Sequence, residues 1–578
     1  MPLIQRKKTE VEKPIFERRI LFLALITLLL SLIIILKLFN LQVLQHSFYL
    51  VMASEKQEVY KNLFPERGSF YTQETGELYP LVTNRDYYLI YAVPAKIESP
   101  KKIVDSITSI LGLKEEEWKD LLVRLAKTDD PYEPIKHKIT KRQMEEIEAL
   151  DLAGINFLPE NYRFYPEQGI GGHIFGFVSS NNDEKIGQYG LEGYFNKELS
   201  GKSGLIKSVK DALGSLITIG PRSIKKAEDG VDLVLTIDRQ VQFTACQKLK
   251  EYYEYFKAES GTVIIMEPTG AILAMCSFPD FDPENYNEVK DINYLNNPAI
   301  FYSYEPGSVF KPITMAAALD QNKISPETIY EDTGEVKVGQ FTIKNFDKKA
   351  HGIKTMTEVL EESLNTGAMF AAEKVGKETL KKYVEDFGFG KNTGITLDSE
   401  AAGDISQLNK KGDTYYLTAS FGQGITATPL QLAAAYAAIA NNGILTKPYI
   451  VSEIIKPDGE KEIIKSQEVR RVMSAKAASL LTGMLVSVTE KGYDKKAKVS
   501  GYYLAAKTGT AQVASGGGWS GKTIHTFIGY GPVSNPKFVM LLKLNNPQGI
   551  GFASDSLGPL FRQIAEFLLN YYQIKPDY

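Results

Sequence analysis

The chain has 578 residues, which is too long for one hydrophobic core and predicts two or more domains. Its formal net charge of −3, with 24% charged residues, excludes the basic surface that is typical of nucleic-acid-binding proteins. The histidines are scattered without the spacing of metal ligands, so neither a metal site nor a cofactor is expected. They are His46, His137, His173, His351 and His525.

The amino-terminal segment predicts a membrane anchor. Residues 1–19 are polar and basic, and residues 20–44 are mostly apolar and reach the roughly 20 residues that a bilayer requires, with Lys37 at the interface. The basic flank predicts a cytoplasmic tail over 1–19, with everything after about residue 45 outside. A cleaved signal peptide is the alternative, but its apolar core is usually shorter, and no small-x-small cleavage site directly follows the apolar run.

Residues 45–230 predict a mixed, turn-rich spacer without a catalytic motif. Helix-like pieces such as Lys114–Ala126 alternate with short strand-like pieces. Three charged residues, Arg67, Arg163 and Glu192, lie in unusual phrases rich in glycine and aromatic residues. Because large polar side chains inside a domain normally survive burial only when they are paired, we expect these three to form an ion-pair network.

A second domain is predicted over residues 231–578. A short strand ends just before Asp238, which is placed to cap a helix, and two further strands are joined through a turn at Pro268-Thr269-Gly270. A helical tract with the capping-box pair Thr355 and Glu358 follows. The chain then returns to strands near its end and closes with an amphipathic helix over Leu557–Tyr571. This order favours an α+β domain in which helices cover one antiparallel sheet.

Two cysteines, Cys246 and Cys276, are too few for a disulfide framework. The first lies in a helix-like run and the second in an apolar strand-like run, so both are most simply small core residues. A disulfide between them is possible only outside the cytosol.

A serine stands three positions before a lysine, behind the turn Pro306-Gly307. If a helix begins at Ser308, its side chain and that of Lys311 lie on one face, beside the unpaired N–H groups of the first turn. Pro312 is compatible with a helix start, because proline is tolerated in the first turn. Taken alone, such a pair occurs by chance in many long chains.

Two further motifs favour a functional role for Ser308 and Lys311. Ser363-Leu364-Asn365 lies in the helical tract, and Lys507-Thr508-Gly509-Thr510 lies at the head of a strand. With the Ser308 pair they form the SxxK, SxN and KTG set of penicillin-binding proteins and related lactamases. A coincidence of all three motifs in this order is improbable, so the set predicts an acyl-transfer site.

The residue types suggest a role for each member of this set. Ser308 is the nucleophile, and Lys311 is its base, made neutral by burial and by the neighbouring charge of Lys507. Ser363 relays a proton to the leaving amine, and Asn365 holds either Lys311 or a peptide group of the substrate.

The remaining residues suit a substrate that ends in a carboxylate. Lys507, Thr508 and Thr510 offer a charge and hydroxyls to that carboxylate, and Gly509 lets the substrate approach the strand closely. The backbone N–H groups of Ser308 and Thr510 are expected to form the oxyanion hole. The predicted reaction is acyl transfer through a covalent acyl-serine.

With these motifs in place, the chain resembles the class B penicillin-binding proteins, the membrane-anchored peptidoglycan D,D-transpeptidases of the bacterial cytoplasmic membrane. The resemblance covers nearly the whole chain, because the spacer phrases are similar to that family's pedestal motifs. It implies a pedestal over 45–230 and a transpeptidase domain over 231–578 with a mainly antiparallel five-stranded sheet. It also implies a cell-wall stem peptide ending in D-Ala-D-Ala as substrate and β-lactams as acylating mimics. One departure is visible, since Thr72–Gly76 replaces the family's Asp-Arg-Asn-Gly phrase.

Several phrases are most similar to the division-specific branch of this family. They are Tyr304–Ser308, Phe387–Gly390 with Thr393-Gly394, and Phe421–Gly424 with Thr428–Gln431. This likeness implies septal cell-wall synthesis beside a lipid-II glycan polymerase and other division proteins. The alternatives are an elongation-specific transpeptidase and a non-catalytic scaffold of the division machinery. A lactamase is disfavoured, because no extra glutamate base is clearly placed for rapid deacylation.

Overall fold

The computed structural model describes residues 14–40, 58–74, 76–167, 171–181, 184–209, 223–515 and 518–578. The strands, numbered along the chain, are β1 Glu58–Leu63, β2 Phe70–Glu74, β3 Glu77–Ala92, β4 Glu133–Ile139, β5 Ile155–Phe164, β6 Phe177–Asn181, β7 Glu184–Gln188, β8 Gly204–Val209, β9 Ser223–Lys225, β10 Asp232–Leu235, β11 Ser260–Met266, β12 Ile272–Phe278, β13 Ile329–Asp332, β14 Glu335–Val338, β15 Phe341–Lys344, β16 Gly352–Thr355, β17 Ile444–Thr446, β18 Val451–Ile455, β19 Lys461–Ile463, β20 Glu468–Arg471, β21 Ala505–Ser515, β22 Gly518–Gly531 and β23 Phe538–Asn545.

The α-helices are numbered in the same way. They are α1 Pro14–Phe39, α2 Pro100–Leu111, α3 Glu115–Leu125, α4 Lys141–Glu148, α5 Gly172–Phe175, α6 Gly190–Tyr194, α7 Asn196–Leu199, α8 Arg239–Tyr255, α9 Lys311–Asp320, α10 Met356–Glu361, α11 Asn365–Val375, α12 Lys377–Asp386, α13 Asp413–Ala419, α14 Pro429–Ala440, α15 Ala475–Glu490, α16 Ala553–Ser556 and α17 Gly558–Tyr571. Two 3₁₀ turns border the candidate site, Gly307–Phe310 and Tyr493–Ala497.

Contacts divide the chain into two units, one of residues 1–65 with 202–228 and one of residues 66–201 with 229–578. In the first unit, β1 pairs with β8 and β8 with β9, both antiparallel. Helix α1 has 26 residues, about 39 Å at 1.5 Å per residue. Among the described residues it is the one helix that is long and apolar enough to cross a membrane.

The predicted membrane segment is only partly covered by the described residues. Helix α1 begins at Pro14, six residues before the apolar run. Proline is tolerated in the first turn of a helix, and none of residues 15–19 is a proline or a glycine. Residues 41–44 of the predicted span lie outside the described residues, as do most of the basic residues of the predicted tail. Those basic residues are Arg6, Lys7, Lys8 and Lys13.

The second unit contains a seven-stranded sheet with the order β19-β18-β10-β2-β3-β4, and β5 pairs with β3. Strand β10 is parallel to β2, with Leu233 opposite Phe70, and antiparallel to β18. Strands that we assigned to the spacer and to the second domain therefore share one sheet. The boundary at residue 230 stays a prediction.

The expected ion-pair network lies beside this sheet. Glu192 is fully buried, and its carboxylate lies 2.5 Å from Arg67 Nη2 and 2.6 Å from Arg163 Nε. Arg67 Nη1 also donates to Asn196 Oδ1 and Ser200 Oγ, at 3.1 and 2.7 Å. The predicted pairing of these three charged residues is confirmed.

The five-stranded sheet has the order β12-β11-β23-β22-β21 and is antiparallel throughout, as expected. Strands β11, β12 and β23 are buried on both faces. Ile264 and Leu541 face the core that contains α9 and α14, whereas Val263 and Leu542 face α8 and α17, because successive side chains of a strand point to opposite faces. Strand β21 is left at an edge, beside the 3₁₀ turn Gly307–Phe310.

Both cysteines are core residues, as expected, and the disulfide that the sequence left as an alternative is present. Cys246 and Cys276 are joined in a disulfide, with their Cα atoms 5.7 Å apart, a separation that suits such a bond. Both belong to the core between α8 and the sheet. Their separation of 30 residues did not reveal that α8 packs directly on β12, and this packing brings the two sulfur atoms together.

Candidate active site

The nucleophile candidate lies in a 3₁₀ turn and not in an α-helix. Ser308 is half-buried within the turn Gly307–Phe310, and α9 begins three residues later than expected, at Lys311. A 3₁₀ turn has three residues per turn, so it still brings residues i and i+3 to the same side. The backbone N–H of Lys311 donates to the Ser308 carbonyl, and Pro312 lies in the first turn of α9. The juxtaposition of the Ser308 and Lys311 side chains stays a prediction, and its local basis would be this 3₁₀ turn and not an α-helix.

This turn is fixed by a close approach of two backbone segments. Gly307 has φ of +61° and donates its N–H to the Gly422 carbonyl at 3.1 Å. A Cβ atom at Gly422 would lie 2.3 Å from the Gly307 oxygen, so only glycine fits there. The Tyr436 hydroxyl donates to the Val309 carbonyl at 2.8 Å. Hydrogen bonds with two other segments therefore fix the backbone of the turn that carries Ser308.

Lys311 is completely buried and contacts the second motif. Its Nζ donates to the Ser363 carbonyl and also to Ser363 Oγ, at 3.2 Å. Burial and the nearby charge of Lys507 hold the Lys311 pKa well below its ordinary value. The lowered pKa favours the neutral amine that a general base must have, and the hydroxyl that this amine contacts is that of Ser363.

Ser363 lies between α10 and α11 in a left-handed conformation, with φ of 56°. A buried amide–carboxylate pair holds the residues that follow it. Asn345 Oδ1 accepts the N–H groups of Asn365 and Thr366, at 2.9 and 3.2 Å, and Asn345 Nδ2 donates to both carboxylate oxygens of Asp332. Sequence reasoning missed this pair, because it precedes the motif by about 20 to 30 residues and matches no pattern.

Asn365 does not hold the lysine here. Its side-chain amide donates to the Lys344 carbonyl at 3.0 Å, and among the described residues no hydrogen bond joins it to Lys311. The alternative role, a contact with a peptide group of the substrate, stays a prediction.

The third motif lies on the edge strand β21. Lys507, Thr508 and Gly509 are buried, and Thr510 is half-buried. A Cβ atom at Gly509 would lie 2.9 Å from the Pro306 oxygen and within 3.2 Å of the backbone of the serine turn. We expected glycine here to admit the substrate, but it also admits the turn that carries the nucleophile.

One carboxylate at this strand was missed. Asp494, in the turn Tyr493–Ala497, is fully buried, and its Oδ2 accepts the Thr508 N–H at 2.9 Å. Burial lowers the pKa of Lys507, and the charge of Asp494 raises it. No signal in the sequence linked Asp494 to the motif, because the two are 14 positions apart in sequence and a surface loop lies between them.

The three motifs therefore converge. A hydrogen bond joins Lys311 to Ser363, the charges of Lys311 and Lys507 interact, and Gly509 packs against the turn that carries Ser308. The site combines a serine, a buried lysine of lowered pKa and a second buried lysine on a strand edge. Such a set can carry out acyl transfer from a substrate that ends in a carboxylate.

Comparisons with known proteins agree with this chemistry. The family model of the penicillin-binding protein transpeptidase domain matches residues 261–566, and that of the penicillin-binding protein dimerisation domain matches residues 62–235. Stage V sporulation protein D of Bacillus subtilis is 32% identical, over 97% of this chain and 86% of its own length. The peptidoglycan D,D-transpeptidase FtsI of Buchnera aphidicola is also 32% identical, over 99% and 98%.

A solved structure shares the fold. Penicillin-binding protein 2X of Streptococcus thermophilus superposes with a TM-score of 0.76 at 22% identity, over 89% of this chain and 80% of its own.

Proposed function

Because this chain belongs to the penicillin-binding proteins that carry a dimerisation domain and a transpeptidase domain, we propose that it is a peptidoglycan D,D-transpeptidase whose nucleophile is Ser308. The observation that carries this assignment is the buried Lys311, which bonds to Ser363 and whose pKa is lowered by burial and by Lys507. We further propose that the pedestal extends over 45–230 and the transpeptidase domain over 231–578.

The first half-reaction forms an acyl-serine. Lys311, as a neutral amine, takes the hydroxyl proton of Ser308 while the serine oxygen attacks the carbonyl of the penultimate D-alanine. The backbone N–H groups of Ser308 and Thr510 stabilise the oxyanion. When the C–N bond breaks, the proton passes through Ser363 to the amine of the leaving D-alanine. A β-lactam enters the same path, and its opened ring stays attached.

The second half-reaction transfers the acyl group. The amine of a neighbouring stem peptide attacks the ester carbonyl and loses a proton to Lys311. As the ester C–O bond breaks, Lys311 returns that proton to the Ser308 oxygen, which restores the hydroxyl. Lys507, Thr508 and Thr510 bind the terminal carboxylate of the donor. The donor peptide lies along the edge of β21 as an added strand, within reach of the Asn365 amide.

We assign the chain to the bacterial cytoplasmic membrane, anchored by α1 with its amino terminus in the cytoplasm and its catalytic domain outside. The basic tail supports this orientation. A role in septal synthesis beside a lipid-II polymerase and other division proteins is supported by the name of the FtsI relative. The name of the sporulation relative favours a second candidate, wall synthesis during spore formation. A fluorescent fusion imaged in the native host would lie at the division septum in the first case and at the forespore in the second.

Labelling with a fluorescent penicillin tests the site. We expect the full-length chain in detergent to be labelled covalently and Ser308→Ala to be unlabelled, while Ser303→Ala, a nearby exposed serine, labels like the wild type. Lys311→Ala should keep its thermal unfolding transition and lose labelling. Label on Ser308→Ala would overturn the nucleophile assignment, and label lost within seconds would identify a lactamase.

A further inference from the structure

Asp494 is a buried carboxylate that the reaction described above does not use. Its side chain is fully buried, and Oδ2 accepts one backbone N–H, that of Thr508. Its Oδ1 has no hydrogen-bond partner among the described residues. A buried carboxylate with an unpaired oxygen is costly, so its position directly behind the third motif suggests a functional reason.

The groups that face Asp494 give that reason. Burial raises the pKa of Asp494, and the charge of Lys507 of β21 lowers it, although no ion pair joins the two side chains among the described residues. The charge of Lys507 also acts on Lys311 of α9. Tyr436 of α14 also interacts with Asp494 but stays neutral, because burial raises its pKa well above the ordinary value. The other nearby charges are paired away from it. Glu490 of α15 pairs with Lys498, and Asp555 of α16 pairs with Lys496.

We infer that Asp494 is a positioning residue for acylation, which keeps the proton on Lys507 and leaves the neighbouring Lys311 neutral. This assignment rests on the proposed function, because it concerns the same two lysines. It gives Asp494 two roles at once. Its charge stabilises the ammonium group that binds the substrate carboxylate, and its Oδ2 holds the backbone of the strand at Thr508.

The two buried lysines need opposite protonation states. Two buried lysines that lie close together repel each other when both are charged, and burial disfavours the charged form of each. The reaction requires Lys311 to be neutral and Lys507 to be charged. Burial lowers the pKa of Lys507, and the charge of Asp494 offsets part of that fall. Burial and the charge of Lys507 both lower the pKa of Lys311, which has no such offset. A carboxylate on the Lys507 side therefore decides which lysine holds the proton.

Asp494→Asn tests this role with little change in shape. The asparagine Oδ1 can still accept the Thr508 N–H, so only the charge is removed. The measurement is the second-order rate of labelling by a fluorescent penicillin, with full-length protein in detergent, from pH 6 to 10. We expect the decline at high pH, which reports deprotonation of Lys507, to move to lower pH by about one unit, and the rise at low pH to stay within about 0.3 units.

Asp232→Asn is the matched control. Asp232 also accepts a single backbone N–H, from Ser69 at 2.6 Å, and burial likewise raises its pKa. It lies in the seven-stranded sheet, so its variant should reproduce the wild-type pH profile. A purely structural role for Asp494 would lower the melting temperature and leave the profile in place.

The outcomes separate this inference from the proposed function. If Ser308→Ala is unlabelled but the profile of Asp494→Asn overlays that of the wild type, the Asp494 assignment is overturned and the proposed function stands. If Ser308→Ala is labelled, the proposed function itself fails. Should Asp494→Asn not fold, Asp494→Ser offers a smaller uncharged acceptor for the same N–H, and an unshifted profile in that variant overturns the assignment equally.

Discussion

Replacing Glu192 by glutamine should strongly destabilise the part of the chain that contains the seven-stranded sheet. The carboxylate is fully buried, and it is shared by two guanidinium groups that are 7% and 6% exposed. Burial and the neighbouring Arg163 already lower the pKa of Arg67, whereas Glu192 raises it. Glu192→Gln therefore leaves two like charges buried side by side without a counter-charge.

The expected cost follows from this geometry. Removing one partner of a buried ion pair costs about 3–5 kcal/mol. For a cooperative unit of about 150–250 residues, this corresponds to a fall in melting temperature of roughly 6–20 °C. Because the two arginines are largely shielded from water, added salt should not restore the lost stability.

Differential scanning calorimetry of the full-length protein in detergent would measure this fall. The control is Glu115→Gln, since Glu115 pairs with Lys119 at the surface, where the two side chains are 82% and 66% exposed. An exposed pair of this kind contributes about 0.3–0.5 kcal/mol, so its transition should stay within about 2 °C of the wild type. A Glu192→Gln transition equally close to the wild type would refute the reasoning.

Two further predictions concern the five-stranded sheet. Gly509→Ala should slow penicillin acylation at least tenfold, because its Cβ would lie 2.9 Å from the Pro306 oxygen and push the Ser308 turn away; a wild-type labelling rate would contradict this. Burial lowers the pKa of Lys543 to about 7, so the unfolded state binds more protons above that pH, and stability rises from about pH 7 to 10. Lys543→Met should make this rise shallower in urea unfolding, and an unchanged slope would show that Lys543 titrates normally.

Helix caps, a hairpin and the closing helix could be predicted from the sequence. Asp238 caps α8 by accepting the N–H groups of Gln240 and Val241, and Thr355 with Glu358 forms the expected capping box. The predicted hairpin of β11 and β12 and the closing helix α17 are also present. Each depends on residues that lie a few positions apart, so spacing and residue type were sufficient to predict them.

The three motifs also identified the residues of the candidate site. They contain the groups that acyl transfer requires, which are a serine, a base and a cation that binds a carboxylate. Their order along the chain matched a known set of motifs. What the motifs could not supply was the local conformation. The 3₁₀ turn at Ser308 depends on Gly307 meeting Gly422, more than 100 residues later in the chain.

Tertiary structure alone decided the electrostatics of the site and the contacts that support it. The Asp494 carboxylate, the Asp332–Asn345 pair and the Cys246–Cys276 disulfide all join segments whose proximity no local pattern encodes. Whether a lysine is a base or a binding cation is set by its burial and by the charges around it. The sequence therefore determined which residues are available for the chemistry, and the packing of α9, β21 and the turn at Asp494 decided which lysine is placed to carry the proton.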